Sequence, residues 1–246
     1  MSRNFELLQQ AGRVEEILPS RSRPVPSRNG IEAQLALDAP THEEAIKLVQ
    51  RVFLLPGASA PRAVVVSAIE TGDGASWVCA HAGEALASQI TGAVCVVDAN
   101  LRSPSLHQYF GLENSVGLTD SLLHEDSIRE FAQRLAGGNL WVITSGPRSV
   151  DPRAVLTSDS LRSRVVELKK EFEYVLIDAP PLSRYSDSLL LGKLADGVVL
   201  VVQANSTHRE TTRKAKESLE SANIPIWGAV LNKRTFPIPD SLYRRI

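Results

Sequence analysis

The sequence predicts a three-layer, doubly wound α/β domain with a mostly parallel sheet, and three observations carry that expectation. Near-continuous apolar runs recur along the chain, and such runs, unlike alternating ones, suit strands buried on both faces. Helical segments separate them, as right-handed crossovers between parallel strands require. The first run, Val64, Val65 and Val66, opens into a glycine-bearing loop that leads into a helix. In such folds ligands sit at the carboxyl ends of strands, so that loop is the first place to look for a site. With 246 residues and 43% hydrophobic side chains, the chain can fill a single large domain.

In chain order, residues 2–18 place Phe5, Leu8, Ala11, Val14 and Leu18 near one helical face, which predicts a short amphipathic helix. Residues 19–29, PSRSRPVPSRN, bury no apolar area and read as an extended linker. The chain therefore divides into an N-terminal segment, 1–35, and a domain, 36–246. Thr41 is expected to cap a helix that runs to Leu55, with Glu44 completing a capping box and Pro56 and Gly57 as the stop. Further strands are expected at 93–98, 140–144, 174–178, 197–203 and 226–231, and helices near 75–88, 127–135, 158–172 and 207–222.

Composition excludes several classes. A formal charge of −1 and a pI near 6.5 give no global field favouring nucleic acid or an anionic membrane, so no nucleic-acid partner is expected. The arginines of the linker (Arg21, Arg23, Arg28) and of the tail (Arg244, Arg245) read as solvated. No apolar run approaches the roughly 20 residues that span a bilayer, and the N-terminus lacks a signal-peptide core, so the expected location is cytoplasmic. Cys79 and Cys95 stand among small or apolar neighbours and are expected to be buried thiols. His81, His107 and Tyr109 have no second histidine or cysteine at metal-ligand spacing and read as polar or packing residues. Ser67, Ser76 and Ser145 lack a histidine partner and a G-x-S-x-G elbow, which argues against serine hydrolase chemistry.

The chemistry concentrates at strand ends. In the loop ETGDGAS, Gly72 and Gly74 let the backbone turn so that successive N–H groups point inward, and the helix start adds partial positive charge. Ser76 stands where a P-loop hydroxyl would hold Mg²⁺. The same pattern demands lysine directly after the last glycine, and this chain has Ala75 there; its strict spacing also wants glycine at Ile69. The loop is drawn as a phosphate site and lacks its principal charge. Asp98 and Asp178 each end a strand, where P-loop enzymes place a carboxylate that orients Mg²⁺ or its water. The alternative for each is a cap on the turn that follows. Asn232, just past the last strand, is placed either to read a base edge or to serve as a turn residue.

The segments VVDANLRSPSLHQYFGL, VGLTDSLL, ITSGPRSVDPRAVLTS, YVLIDAPPLSRYSD, ADGVVLVVQANST and GAVLNK resemble the cytoplasmic domains of bacterial tyrosine kinases of capsule and exopolysaccharide synthesis, the BY-kinases. These are relatives of the septum-site and plasmid-partition ATPases. The resemblance spans about residues 41–246. It implies a P-loop NTPase-like fold, ATP or ADP with Mg²⁺, homo-oligomerisation, and a membrane polysaccharide co-polymerase as partner, which would place the protein at the inner membrane. Carried onto this sequence, the nucleotide-binding positions are Gly72, Asp73, Gly74, Ala75, Ser76, Trp77, Arg102 and Asn232, and the metal positions Ser76, Asp98 and Asp178. Asp98 and Asp178 are also the catalytic positions, here vestigial.

Four parts of the family's mechanism are altered. The phosphate-loop lysine is Ala75. The motif D-x-D-x-R keeps Asp98 and Arg102 but carries Asn100 as its second acid. The oligomerisation motif E-x-x-R-x-x-R reads Glu44, Lys47 and Gln50. The C-terminal tyrosine cluster is reduced to Tyr243. The resemblance thus implies a catalytically degenerate regulator of polysaccharide polymerisation and export. An active autokinase or ATPase that takes its lysine from Lys47, Lys233 or a neighbouring subunit is the alternative. A nucleotide-free scaffold, its loop crowded by Trp77, is the third reading.

Overall fold

The computed structural model describes residues 39–135, 138–147 and 151–234. The expected helix at 2–18, the linker, the boundary at 35 and the tail with Tyr243 lie outside these residues. The chain runs through α1 (Ala39–Val49), β1 (Ala63–Ala68), α2 (Ala75–Gln89), β2 (Val94–Asp98), α3 (Leu106–Tyr109), α4 (Leu118–Ser121), β3 (Gln133–Arg134) and β4 (Leu140–Ile143). It continues through α5 (Pro152–Leu156), α6 (Asp159–Glu171), β5 (Tyr174–Ala179), α7 (Asp187–Leu194), β6 (Val198–Gln203), α8 (Arg209–Ser221) and β7 (Ile226–Asn232).

The seven strands form one sheet in the order β3-β4-β2-β5-β1-β6-β7. Every pairing is parallel except β3 against β4. Because successive side chains on a strand point to opposite faces, each apolar run feeds two cores. Val64, Val66, Val96 and Leu176 pack with α1 and α2 on one face, while Val65, Val97, Ile177 and Leu200 pack with α6, α7 and α8 on the other. The result is the three-layer, mostly parallel architecture expected. Cys79 and Cys95 are free and buried, and burial pushes both thiols up, Cys95 more because of burial than Arg129 can offset.

Three local expectations change. Helix α1 begins at Ala39, so Thr41 lies inside it and is not the cap, and the backbone widens into a π-helix over Gln50–Leu54 before the stop at Pro56 and Gly57. The helix expected at 127–135 is a 3₁₀ turn, Ile128–Phe131, followed by β3. Side chains of α6 hold its start and the chain just before it: Glu167 accepts from the Ile128 N–H at 2.8 Å, and Arg164 donates to the carbonyls of Ser121 and Asp126, both at 2.8 Å. Past the turn, Gln133 and Arg134 pair with Val142 and Trp141 of β4, so the segment ends as a strand. Finally, β7 is an edge strand with Ala229 and Leu231 exposed, so its apolar run is not buried on both faces.

Candidate functional site

The loop between β1 and α2 is wound by two glycines in the left-handed region, Gly72 and Gly74, both at φ 94°. Gly74 is required twice over, because it caps α2 and because a Cβ there would stand 2.4 Å from Asn232 Nδ2. Ile69, where strict spacing wants glycine, continues the strand instead: its N–H donates to Val201 O at 3.0 Å and its side chain is fully buried in the core. The loop therefore starts one residue later, and an isoleucine fits without entering it.

Asp73 and Asn232 brace this loop. Asp73 is 2% exposed; its Oδ2 accepts from the Glu70 N–H at 2.9 Å and its Oδ1 from Thr207 Oγ1 at 3.0 Å. Both oxygens are occupied by scaffold, so Asp73 shapes the loop from behind. Asn232 Nδ2 donates to Asp73 O at 2.8 Å, so in this state its amide ties the last strand to the loop. The first N–H groups of α2 have no intrahelical partner, and Ala75, Ser76 and Trp77, which carry them, border open space in front of the loop.

Register explains how the acids meet. Asp98 lies beside Asp178, and Asp178 beside Val66, so the ends of β2, β5 and β1 sit side by side under the start of α2. Ser76 Oγ donates to Asp178 Oδ2 at 2.6 Å. Asp178 Oδ1 is buried with no hydrogen-bond partner. Asp98 differs: it accepts from the backbone N–H groups of Asn100 at 3.2 Å and of Ser105 and Leu106 at 3.0 Å. It caps the turn after its strand, the structural alternative for this position. Burial raises both carboxyls, Asp98 to about 6 against its three donors, and Asp178 well above the ordinary range with the Asp98 charge adding to burial. With three backbone donors on Asp98 and the Asp98 charge beside Asp178, Asp178 is the carboxyl of the pair that is raised further.

Ser76 and Asp178 are thus the residues that would hold Mg²⁺, and the orphaned Asp178 oxygen suits a cation. A bound Mg²⁺ would supply charge neutralisation at a phosphate oxygen. Asn100 supplies no ligand charge; its Oδ1 accepts from the Ser103 N–H, three residues on, at 3.2 Å and holds the turn after β2. Among the described residues no group of three or more His, Cys, Asp or Glu side chains is arranged to hold a metal.

A cleft of about 410 Å³ opens in front of these groups, lined by the β1–α2 loop, by Asn100, Arg102 and Ser105, and by Pro181, Arg184 and Tyr185. Ala75 and Trp77 line it too. Trp77 packs edge-on against His81, with ring centroids 4.3 Å apart. Tyr109 forms part of the wall, its phenol held above its ordinary value by burial and then by Asp178. Arg102 is committed within the protein: Nε and Nη2 donate to Asp187 Oδ2 and Oδ1 at 2.7 and 3.1 Å, and its guanidinium lies 4.1 Å over the Tyr185 ring. Sequence reasoning passed over Asp187, Arg184, Tyr185 and Thr207. Asp187 opens a helix that no strong periodicity announces, and the others matter only through tertiary contact.

No family model matches the chain. The tyrosine-protein kinase YwqD of Bacillus subtilis strain 168 is 34% identical over 171 residues, which cover 70% of this chain and 72% of YwqD. The putative tyrosine-protein kinase CapB of Staphylococcus aureus is 28% identical, covering 60% of this chain and 65% of CapB. The tyrosine-protein kinase Etk of Escherichia coli K12 is 25% identical over 84% of this chain, yet the match spans only 27% of Etk. Among solved structures, the chimerical protein CapA2B2 superposes with a TM-score of 0.77 at 25% identity, covering 86% of this chain and 93% of that one. The septum site-determining protein MinD of Pyrococcus horikoshii OT3, complexed with Mg-ADP, shares the fold with a TM-score of 0.57 at 21% identity over 74% of this chain and 76% of MinD. With this fold, this loop and a relative matched over most of both chains, the chain belongs to the family of bacterial tyrosine-protein kinases.

Proposed function

We propose that this protein is a phosphotransfer-deficient member of its family, which binds ATP or ADP with Mg²⁺ weakly and regulates capsule or exopolysaccharide polymerisation and export beside a membrane co-polymerase. One observation carries the deficiency: the position that should present the loop's lysine is Ala75, a methyl group on the cleft wall. Asn100, in place of an acid, adds no charge at the opposite wall. Removing one preorganised stabiliser of transition-state charge costs roughly 10²–10³ in rate, so turnover suffers more than occupancy. The polysaccharide role and the membrane partner rest on the family resemblance of the motifs. Among the described residues no helix is long and apolar enough to cross a membrane.

The test is incubation of the purified protein with ATP and Mg²⁺, with and without a candidate membrane partner. No ATP turnover and no phosphotyrosine are expected in either case. Phosphotyrosine mapped by mass spectrometry onto the wild-type protein would sink this reading in favour of an active kinase.

Assembly is expected to be weak as well. A ring built on E-x-x-R-x-x-R uses guanidinium forks that pair bidentately with carboxylates. Here Lys47 Nζ is paired with Glu44 of its own helix at 2.7 Å, and Gln50 donates to Gln89 at 3.3 Å. Light scattering on the protein alone should show a monomer or a low oligomer. A stable octamer without partner would contradict this.

A further inference from the structure

Lys233 stands one residue past β7, and its side chain crosses to the phosphate loop. Its Nζ donates to Gly72 O at 2.6 Å and lies 3.4 Å from Gln203 Oε1 at the end of β6. The Lys233 N–H donates to Asn232 Oδ1 at 2.9 Å, while Asn232 Nδ2 holds Asp73 O. Two successive residues therefore grip two successive carbonyls of the loop. The Lys233 backbone lies at φ 54°, in the left-handed region. Among the described residues the other non-glycine positions there are Asn205 and Asn223. Asparagine tolerates that conformation through local hydrogen bonding; lysine has no such help, so its surroundings hold it there.

The charge arithmetic around the loop singles out the same residue. Both acceptors of the Lys233 ammonium are neutral, and no ion pair joins it to a carboxylate among the described residues. Its full positive charge is left at a loop whose own cationic position is Ala75. Two of the other candidates are engaged. Lys47 is paired with Glu44 on the exposed side of α1, and Arg102 is held bidentately by Asp187. Arg184 lines the cleft together with Gly72 and Gly74, from the β5–α7 loop, whereas Lys233 reaches the loop from outside that lining.

We propose that Lys233 compensates in part for the lysine that position 75 lacks, as the cation behind the weak phosphate binding proposed above, with a nucleoside di- or triphosphate as the ligand. This rests on the reading that the loop binds nucleotide. The lysine approaches from the β7 side, beside the Cβ position of Gly74, where its Cε lies 3.9 Å away. Rotation of its terminal torsions exchanges the Gly72 carbonyl for an anionic phosphate oxygen, a stronger acceptor for an ammonium. No ion pair has to break for that exchange.

The test is calorimetric titration of the whole chain, wild type against Lys233→Ala, Lys233→Gln and Lys233→Arg, with Mg-ADP, inorganic tripolyphosphate and adenosine. Lys233→Gln keeps a donor for Gly72 O and removes only the charge, which guards against a loop that collapses in the alanine variant. Both neutral variants should lose about tenfold or more in affinity for ADP and tripolyphosphate, the worth of one charge-assisted hydrogen bond. Adenosine affinity should stay unchanged, and Lys233→Arg should keep most of the phosphate affinity. Unchanged ADP affinity in Lys233→Gln would overturn the role of Lys233 and leave the nucleotide reading standing. Tighter binding by the neutral variants would also overturn it, showing that Lys233 only latches the loop shut. Wild-type protein that binds none of the three ligands would overturn both.

Discussion

Replacing Ala75 by lysine is expected to tighten ATP binding ten- to a hundredfold without restoring turnover. Ala75 is the first residue of α2, buried at the margin of the core where it borders the cleft, so a lysine there has to run out of the core and along the cleft wall to reach a phosphate. A charge-assisted hydrogen bond is worth about 1.5–3 kcal/mol, and each tenfold in affinity is about 1.4 kcal/mol, which sets the range. Turnover has further requirements. Asn100 holds the Ser103 N–H through Oδ1, a bond that aspartate can also make, so Asn100→Asp should fold normally and return the missing acid. ATPase activity is expected only in the double variant, with Asp98 and Asp178 completing the acidic set, and the two effects should be strongly non-additive. If Ala75→Lys leaves ATP affinity unchanged in a folded protein, the cleft is closed to nucleotide and the scaffold reading replaces the one proposed.

The sheet was legible in the sequence because parallel strands buried on both faces leave unbroken apolar runs, and each of the six runs became a strand. Position in the sheet was not legible. The run at β7 has the composition of a central strand, and only the topology makes it an edge. Segment 127–135 has helical spacing, but Glu167, roughly 40 residues on, holds the N–H of Ile128 near its start, and its end, Gln133 and Arg134, pairs with β4 as a strand. The site was visible as a set of strand ends, and register brings Asp98, Asp178 and Ser76 together as the motifs implied. What each side chain does there depends on partners that spacing does not encode. Asp98 is saturated by three backbone donors and Asp73 by the loop and Thr207, while Asp178 keeps one oxygen bare.

That bare oxygen leads to the second large effect: Asp178→Asn should stabilise the ligand-free fold, and by more as the pH rises. Both carboxyls of the pair have higher pKa values folded than unfolded, so the folded state holds more protons. Such groups contribute their full stability below the unfolded value of about 4 and lose it as pH climbs through the folded one. For Asp98, moving from 3.8 to about 6 corresponds to about 3 kcal/mol of stability lost once the carboxyl is ionised. Asp178, raised further by burial and by its neighbour, extends the loss to higher pH. Asparagine at 178 keeps an acceptor for Ser76 Oγ and is neutral at every pH, so the fold no longer has to take up a proton there. Denaturant midpoints of wild type and variant should therefore nearly coincide near pH 4 and separate steadily toward pH 8, with the variant the more stable. Taking the difference between the two proteins cancels the opposite contribution of carboxylates held low by other partners, such as Asp196 with Lys169. A difference that stays constant from pH 4 to 8, or a variant that is the less stable at pH 8, would show that Asp178 is not a protonated buried acid. The same substitution should weaken any Mg²⁺-dependent part of ADP binding. A protein that becomes more stable as it loses its metal dependence is what a carboxylate kept for a cation, at a cost to the fold, requires.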